Sequence, residues 1–211
     1  MTRLLKCDED GVNEAARMIV KGELVAYPTD TVYGLGCDPF NSFAVQKLIR
    51  AKERRQTNLP ILVDSLETAD GIGVFDKTAR LLAREFWPGP LTIVVDSRRD
   101  LPGSGGTVGL RIPARQDTIE LIKQAGGAIV GTSANISGTP PPRSASEVMR
   151  QLSGRIALVL DGGQSESALE STVVRVGHGQ VNILREKAIS AEKILATASP
   201  IRTHSLVKHT C

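Results

Sequence analysis

The chain has 211 residues, of which 41% are hydrophobic and 23% are charged, as is ordinary for a soluble protein with one well-buried core. Its net charge of +3 permits an anionic ligand without requiring nucleic acid. With one Trp, two Tyr and four Phe, the composition argues against stacking-based recognition of single-stranded RNA, which uses aromatic platforms.

The cysteines Cys7, Cys37 and Cys211 are an odd number and lie far apart, without a CxxC pair or a nearby histidine. This pattern indicates neither a disulfide framework nor a zinc site, and it favours a reducing compartment. The segment Met1–Cys7 lacks an apolar signal core, and no run approaches the roughly 18 apolar residues that a membrane span needs. We therefore expect a cytoplasmic protein that does not contact a membrane.

Hydrophobic spacing predicts an alternation of helices and strands up to residue 131. The predicted helices are capped by Asp8 or Asp10, by Asn41 or Ser42, and by Asp76, with further helices over Ser65–Asp70 and Gln116–Gln124. The predicted strands are Leu24–Tyr27, Pro60–Val63, Leu91–Val95, Thr107–Ile112 and Ala128–Gly131. The polar, glycine-rich residues 97–106 are expected to form a loop.

The second half continues the same pattern. A helix is predicted to start at Ser144–Glu147, and three strands follow at Ile156–Leu160, Ser171–Val176 and Val181–Arg185, the last two joined as a hairpin. The prediction is an α/β protein with one main domain that spans residues 1–190. Residues 191–211 are expected to hold the end of a C-terminal helix, predicted over Ser190–Ala198, and a disordered tail.

The stretch from Pro28 to Gly36 carries the first candidate for a site. Pro28 has no N–H for a sheet ladder, so it ends a buried strand and sends the chain into a loop with Thr29, Asp30 and Thr31. One interpretation is a small-molecule pocket, and the other is a turn whose hydroxyls bond their own backbone. Two further loops of short polar residues, Thr132–Asn135 and Ser171–Thr172, also adjoin predicted strands.

Cationic side chains lie near these loops in the sequence. They are Lys52, Arg54, Arg111, Arg143 and Arg185. Arginine offers a planar fork to phosphate or carboxylate and lysine a point charge, so the set suits a triphosphate or an amino acid, although each could be a solvated surface charge. No histidine lies in the loops, and the GxSxG, Walker A and GxGxxG motifs are missing, so catalysis would depend on positioning and charge.

Six motifs in order resemble a known family. They are Pro28–Gly36, Lys52-Glu53-Arg54 with Asn58, Trp87–Thr92, Arg111-Ile112-Pro113, Thr132–Gly138 and Glu170–Val173. Together they look like the YrdC-type threonylcarbamoyl-adenylate synthases, and the resemblance covers about residues 10 to 190. Each motif alone is modest, but six in order are highly specific.

The resemblance implies a nucleotidyltransferase that makes threonylcarbamoyl-adenylate and pyrophosphate from L-threonine, bicarbonate and ATP. The product would serve the threonylcarbamoyladenosine modification of tRNA. The resemblance also implies a twisted mixed sheet flanked by helices, with a large, concave, basic cavity. Magnesium would arrive with the triphosphate, because the sequence shows no dedicated carboxylate cage.

The resemblance also implies roles for individual residues. Lys52 and Arg54 would be catalytic, and the nucleotide would be bound by Lys52, Arg54, Asn58, Thr107, Asn135, Arg143 and Arg185. L-Threonine would be held by Thr31, Arg111, Ser133 and Ser171.

The chain departs from the family pattern at two points. Many relatives have a histidine where this chain has Val63 and Asp64, which puts one threonine contact in doubt. Longer relatives carry a linker and a second domain, so we expect a short form that depends on separate proteins to transfer the threonylcarbamoyl group to tRNA.

Two alternatives remain at this stage. One is a YciO-like relative without the synthase activity, although such relatives depart at the Lys-x-Arg and Ser-x-Asn motifs that this chain keeps. The other is a module that binds double-stranded RNA or nucleotides, since a basic cavity can also accept a phosphate backbone. Contact with tRNA is compatible with either.

Overall fold

The computed structural model describes residues 1–54, 58–165, 167 and 169–199. Its helices are α1 Glu9–Val20, α2 Ser42–Ala51, α3 Leu66–Ile72, α4 Lys77–Phe86, α5 Gln116–Gln124, α6 Ala145–Leu152 and α7 Ala191–Ala198. Its strands are β1 Arg3–Lys6, β2 Val25–Tyr27, β3 Gly34–Gly36, β4 Ile61–Val63, β5 Gly73–Val74, β6 Leu91–Ser97, β7 Thr107–Arg111, β8 Ala128–Val130, β9 Thr132–Ser133, β10 Leu158–Asp161, β11 Thr172–Gly177 and β12 Gln180–Arg185.

The strands pair into two mixed sheets. The five-stranded sheet has the order β1-β10-β2-β3-β9, and the seven-stranded sheet has the order β12-β11-β6-β7-β4-β8 with β5 attached to β6. In the seven-stranded sheet, parallel pairs such as β11 with β6 alternate with antiparallel pairs such as β6 with β7, whereas the five-stranded sheet has two parallel pairs followed by two antiparallel pairs. The predicted α/β class with a mixed sheet flanked by helices is confirmed.

The helices begin where short polar side chains cap them. The Asp8 carboxylate accepts a hydrogen bond from the Gly11 N–H at 3.0 Å, and Asp76 accepts one from the Ala79 N–H at 2.8 Å. Asn41 caps α2 in the same way. Such a cap satisfies N–H groups that the first helical turn leaves without partners. Because the capping residue adjoins the helix, helix starts can be predicted from the local sequence.

The two sheets are covered differently. Helices α1 and α5 cover one face of the five-stranded sheet, and α2 and α6 cover the other. The seven-stranded sheet packs one face against α3, α4 and α7, and Ile194 of α7 is fully buried there, so this helix belongs to the packed body. The opposite face of the seven-stranded sheet is the one that can receive a ligand.

Short strands β1, β3, β5 and β9 are absent from the sequence prediction, which placed a loop over β3. In β3, a Cβ on Gly34 would come within 2.6 Å of the Tyr27 ring, and one on Gly36 within 2.8 Å. The buried Tyr27 ring therefore requires glycine at both positions, and its hydroxyl donates to the Val130 carbonyl at 2.8 Å. Glycine is depleted in strands, so this sequence gives little strand signal. The predicted tail, residues 200–211, lies outside the described residues.

Candidate active site

A cavity of about 460 Å³ opens between the seven-stranded sheet and the β3–β9 edge of the other sheet. Alternate residues of the sheet form its floor, as the two-residue period of a strand requires. Thr92 and Val94 of β6 line the cavity, whereas Ile93 between them is buried in the apolar cluster under the sheet. The sheet is thus apolar on its helix side and partly polar on its cavity side.

Eight of the eleven predicted site residues lie on the cavity wall. They are Thr31, Arg54, Asn58, Thr107, Arg111, Ser133, Ser171 and Arg185. These residues come from six separate stretches of the chain, and the fold brings them to one wall.

Lys52, Asn135 and Arg143 are not among the wall residues. Lys52 is 2% exposed, and its ammonium donates to the carbonyls of Ser133 and Asn135, the latter at 2.7 Å. The Asn135 amide donates to the carbonyls of Ile136 at 3.0 Å and Thr139 at 2.7 Å. Burial, and secondarily the charge of Arg54, lowers the pKa of Lys52 to about 8.

Arg143 contacts Ser165 through both its side chain and its main chain. Its guanidinium donates weakly to the Ser165 carbonyl at 3.4 Å, and the Ser165 N–H donates to the Arg143 carbonyl at 2.8 Å. The predicted nucleotide contacts of Lys52, Asn135 and Arg143 stay predictions.

Arg111 anchors one end of the cavity. It is 5% exposed at the end of β7, where Nη2 pairs with Asp30 at 2.5 Å and Nη1 donates to the Thr31 hydroxyl at 3.1 Å. Its Nε donates to the Gly89 carbonyl at 2.9 Å. Burial lowers the Arg111 pKa and Asp30 opposes the change. Among the described contacts, three of the five guanidinium N–H groups are used, so the fork remains able to bind a carboxylate.

The loop after Pro28 combines the two interpretations of its sequence. The Thr29 hydroxyl donates to the Val32 carbonyl at 2.6 Å and accepts from the Thr31 N–H at 3.1 Å, which is the self-bonded turn. The Thr31 hydroxyl lies 2.9 Å from the Thr29 hydroxyl and accepts from Arg111 Nη1 at 3.1 Å, and both threonines line the cavity. The turn formed by Thr29 therefore positions Thr31.

Ser171 and Arg185 occupy the neighbouring part of the floor. The Ser171 hydroxyl lies 2.9 Å from the Thr92 hydroxyl, and the Ser171 carbonyl accepts from Arg185 Nη2 at 2.9 Å. Arg185 also pairs with Glu170 at 3.2 Å. A half-exposed arginine is thus held in place by the two residues that immediately precede the adjacent strand β11.

Arg54 lines the same cavity as Arg185. Its Nη1 donates to the Thr132 hydroxyl at 3.2 Å and its Nη2 to the Asn58 carbonyl at 3.1 Å. Burial lowers the Arg54 pKa, and the positive charge of Arg185 lowers it further. Two like charges that disfavour each other in a concave site would be stabilised by an anion between them.

Sequence reasoning assigned no role to several polar wall residues, among them Thr92, Ser104, Glu170 and Arg175. Thr92 lies within a motif that was recognised without assigning it a role, and Arg175 pairs with Asp96 at 2.7 Å. Arg175 interrupts an apolar strand as Arg111 does, so the same signal could have identified it. At the departure from the family pattern, Val63 is buried in β4, and the Asp64 carboxylate accepts from the Thr68 hydroxyl at 2.6 Å.

The described part of the chain contains no group of three or more His, Cys, Asp or Glu residues placed to hold a metal ion, and no helix long and apolar enough to cross a membrane. Cys7 and Cys37 are free thiols, and burial raises the pKa of each to about 12. Neither thiol is prepared to act as a nucleophile at neutral pH.

The chain is similar to known proteins over most of its length. The Sua5/YciO/YrdC family model, described as telomere recombination, matches residues 17–187. A Mycobacterium tuberculosis protein provisionally named a threonylcarbamoyl-AMP synthase is 42% identical over 191 residues, which cover 87% of each chain. A threonylcarbamoyl-AMP synthase of Pyrococcus abyssi is 36% identical over 208 residues, covering 96% of this chain and 61% of that protein.

Solved structures agree with these matches. The structure of P. abyssi Sua5 complexed with L-threonine has a TM-score of 0.88 and 34% identity, and the match covers 94% of this chain and 61% of that one. This chain therefore spans less than two thirds of the length of its P. abyssi relative. E. coli YciO shares the fold with a TM-score of 0.83 at 21% identity. The resemblance in the motifs is thereby confirmed, and the chain belongs to the Sua5/YciO/YrdC family.

Proposed function

We propose that this chain is an L-threonylcarbamoyladenylate synthase that joins L-threonine, bicarbonate and ATP. The proposal is supported by relatives of that name at 36% identity and by a structurally similar P. abyssi protein whose structure contains L-threonine. The observation that carries it is the set of cations around one cavity, with buried Arg111 at one end and Arg54 and Arg185 on another part of its wall. This arrangement suits one carboxylate and one polyphosphate.

The Arg111 end would hold threonine. The two remaining N–H groups of the Arg111 guanidinium could bind the amino-acid carboxylate, and Thr31 and Ser171 also line the cavity. Ser133 would approach from the opposite edge. Because Asp30, Thr31 and Gly89 fix Arg111 on three sides, the fork is oriented before the substrate arrives.

The Arg54 and Arg185 side would hold the nucleotide phosphates, with Asn58 and Thr107 on the same wall and Asn135 and Arg143 behind it. Positive charge placed there would be stabilised by the triphosphate and would stabilise charge that develops in the transition state. The Glu170 carboxylate paired with Arg185 would keep that guanidinium in one orientation.

The reaction can be written with atoms balanced. The threonine amine and bicarbonate form a carbamate and release water. A carbamate oxygen then attacks the α-phosphorus of ATP, a new P–O bond forms, and the bond to the β-phosphate oxygen breaks to release pyrophosphate. The protein groups contribute by orienting the reactants and by placing cations near the displaced oxygens.

Magnesium would accompany the triphosphate. Glu170 is the sole carboxylate among the described wall residues, and it is paired with Arg185, so the phosphate oxygens would supply most of the ligands. Mg²⁺ would neutralise phosphate charge. Separate proteins would then pass the threonylcarbamoyl group to tRNA.

The proposal is tested by pyrophosphate release. The purified chain should release pyrophosphate when ATP, L-threonine and bicarbonate are all present with Mg²⁺, and omission of any one substrate should abolish the signal. The adenylate product should appear in equal amount. Release that is independent of threonine, or no release with all substrates, would contradict the proposal and leave nucleotide or RNA binding as the alternative.

A further inference from the structure

We infer that Lys52 is a positioning residue for this reaction, which holds the loop of Ser133 and Asn135 in place and does not itself bind the triphosphate. The inference rests on the proposed synthase function, since Ser133 is assigned there to the threonine side. It also departs from the direct phosphate contact that the sequence resemblance implies for this lysine.

The main chain of Lys52 connects a helix to the loop. Lys52 is the C-terminal cap of α2, and its N–H donates to the Leu48 carbonyl at 3.1 Å. Its own carbonyl accepts from the Ser137 N–H at 2.9 Å. Carbonyls at a helix C-terminus lack partners within the helix, so this bond satisfies one of them and binds the loop to the helix end.

The side chain of Lys52 binds the same loop a second time. The ammonium donates to the carbonyls of Ser133 and Asn135, and the Asn135 side-chain oxygen lies 3.5 Å away. An ammonium has three N–H groups and no acceptor, so these three oxygens account for its donors. A phosphate that reached Lys52 would have to displace carbonyls that would then be buried without partners, which is costly.

The loop needs such an anchor because its strand is short. Strand β9 has two residues at the edge of the five-stranded sheet, where Ser133 pairs with Gly34. Ser133 lies on the cavity wall, whereas Lys52 is buried behind it. The positive charge also lies at a helix C-terminus, where the helix dipole favours it. Lys52 thus acts on the substrate through Ser133.

Substitutions that separate charge from hydrogen bonding test this role. Lys52→Gln keeps two N–H donors without charge, and Lys52→Met keeps neither. Binding of L-threonine and of ATP with Mg²⁺ is measured separately by calorimetry, beside a thermal melt. We expect Lys52→Met to weaken threonine binding about tenfold or more and ATP binding less than about threefold, with Lys52→Gln retaining most of the threonine affinity.

A matched control is available on the same helix. Lys47 pairs with Glu23 away from the cavity and is half-exposed, so Lys47→Met should leave both affinities unchanged. If Lys52→Met does not fold, the glutamine variant decides alone. Loss of ATP affinity by more than about tenfold in Lys52→Gln, with threonine binding intact, would mean that the charge binds phosphate and would overturn the inference.

A double-mutant cycle separates the two roles further. If Lys52 acts through the Ser133 loop, Lys52→Gln and Ser133→Ala should be non-additive for threonine binding, whereas Lys52→Gln and Arg185→Ala should be additive for ATP binding. Additivity in the first cycle together with coupling in the second would overturn the inference. Because both cycles use binding, they remain informative even if the chain does not release pyrophosphate and the proposed function fails.

Discussion

The cavity holds its cations in two different ways. Arg111 is buried, and Asp30 compensates its charge at 2.5 Å. Arg54 and Arg185 line a more open part of the wall, where Glu170 pairs with Arg185 and where burial, and then the charge of Arg185, lowers the pKa of Arg54. The first cation is compensated by a carboxylate in an enclosed site, whereas the second arrangement brings two cations near each other on a more open surface. The difference suggests that one end selects a substrate by geometry and the other attracts one by charge.

The largest effect is expected at the enclosed end. Arg111→Ala should raise the KM for threonine about 30-fold to 1000-fold, corresponding to roughly 2–4 kcal/mol, because the carboxylate loses its partner in an enclosed site. The KM for ATP should change little. Steady-state pyrophosphate release at varied threonine and varied ATP measures both.

A stability control must accompany this variant. Asp30 has a side-chain exposure of 13%, so Arg111→Ala leaves a buried carboxylate unpaired and is expected to lower the melting temperature. Adding Asp30→Asn should restore part of the stability without restoring threonine binding. Equal increases in the two KM values would show that Arg111 does not bind threonine.

Substitution of Arg54 and Arg185 on the open part of the wall should slow the reaction. Arg54→Ala combined with Arg185→Ala should slow pyrophosphate release roughly a hundredfold while the protein stays folded, because preorganised charge near the phosphates is lost. Arg155→Ala is a matched control, since Arg155 forms an exposed pair with Glu53 outside the cavity wall. If the double variant folds and releases pyrophosphate at the parent rate, the nucleotide does not bind at Arg54 and Arg185.

The helix starts and the candidate role of Arg111 could be predicted from the sequence, because the signals that identify them lie within a few residues of one another. The caps at Asp8, Asn41 and Asp76 follow from the residues beside them. Arg111 was recognisable as a charge that interrupts an apolar strand. The signals could not tell that a carboxylate from the Pro28 loop compensates Arg111, because that contact joins residues that lie far apart in the chain.

The other features that the sequence did not predict also depend on contacts between residues that lie far apart in the chain. In strand β3, Gly34 and Gly36 fit against the Tyr27 ring because they lack a Cβ. Strand propensities of single residues do not include this contact. Lys52 and Arg54 lie two residues apart in one motif, yet one points behind the loop and the other into the cavity. Which way each points is decided by the carbonyls of the Ser133–Asn135 loop and not by the spacing.

Lys52 adds a third way to hold a cation, with neutral acceptors instead of a carboxylate. Its pKa falls from 10.5 to about 8 on folding, so between these values the unfolded chain binds more protons than the folded one. The contribution of Lys52 to the free energy of unfolding should therefore rise with pH, by about 2 kcal/mol between pH 8 and pH 9.5. Urea denaturation of the parent and of Lys52→Met at the two pH values measures this rise, which the variant should lack.

The smallest effect is expected for Arg175, which lines the cavity and has an exposed carboxylate, Asp96, as its partner at 2.7 Å. The side chains are 30% and 58% exposed, and such pairs contribute about 0–1 kcal/mol to stability. Arg175→Ala should thus shift both KM values less than about threefold, because a charge that Asp96 already neutralises adds little attraction for phosphate. Asp96→Ala provides the complementary test, because it removes the carboxylate that neutralises Arg175. This variant should lower the KM for ATP slightly if the cavity attracts the nucleotide by charge. A large loss of ATP affinity in Arg175→Ala alone would place a third cation in the nucleotide site and extend that site to the outer end of β11.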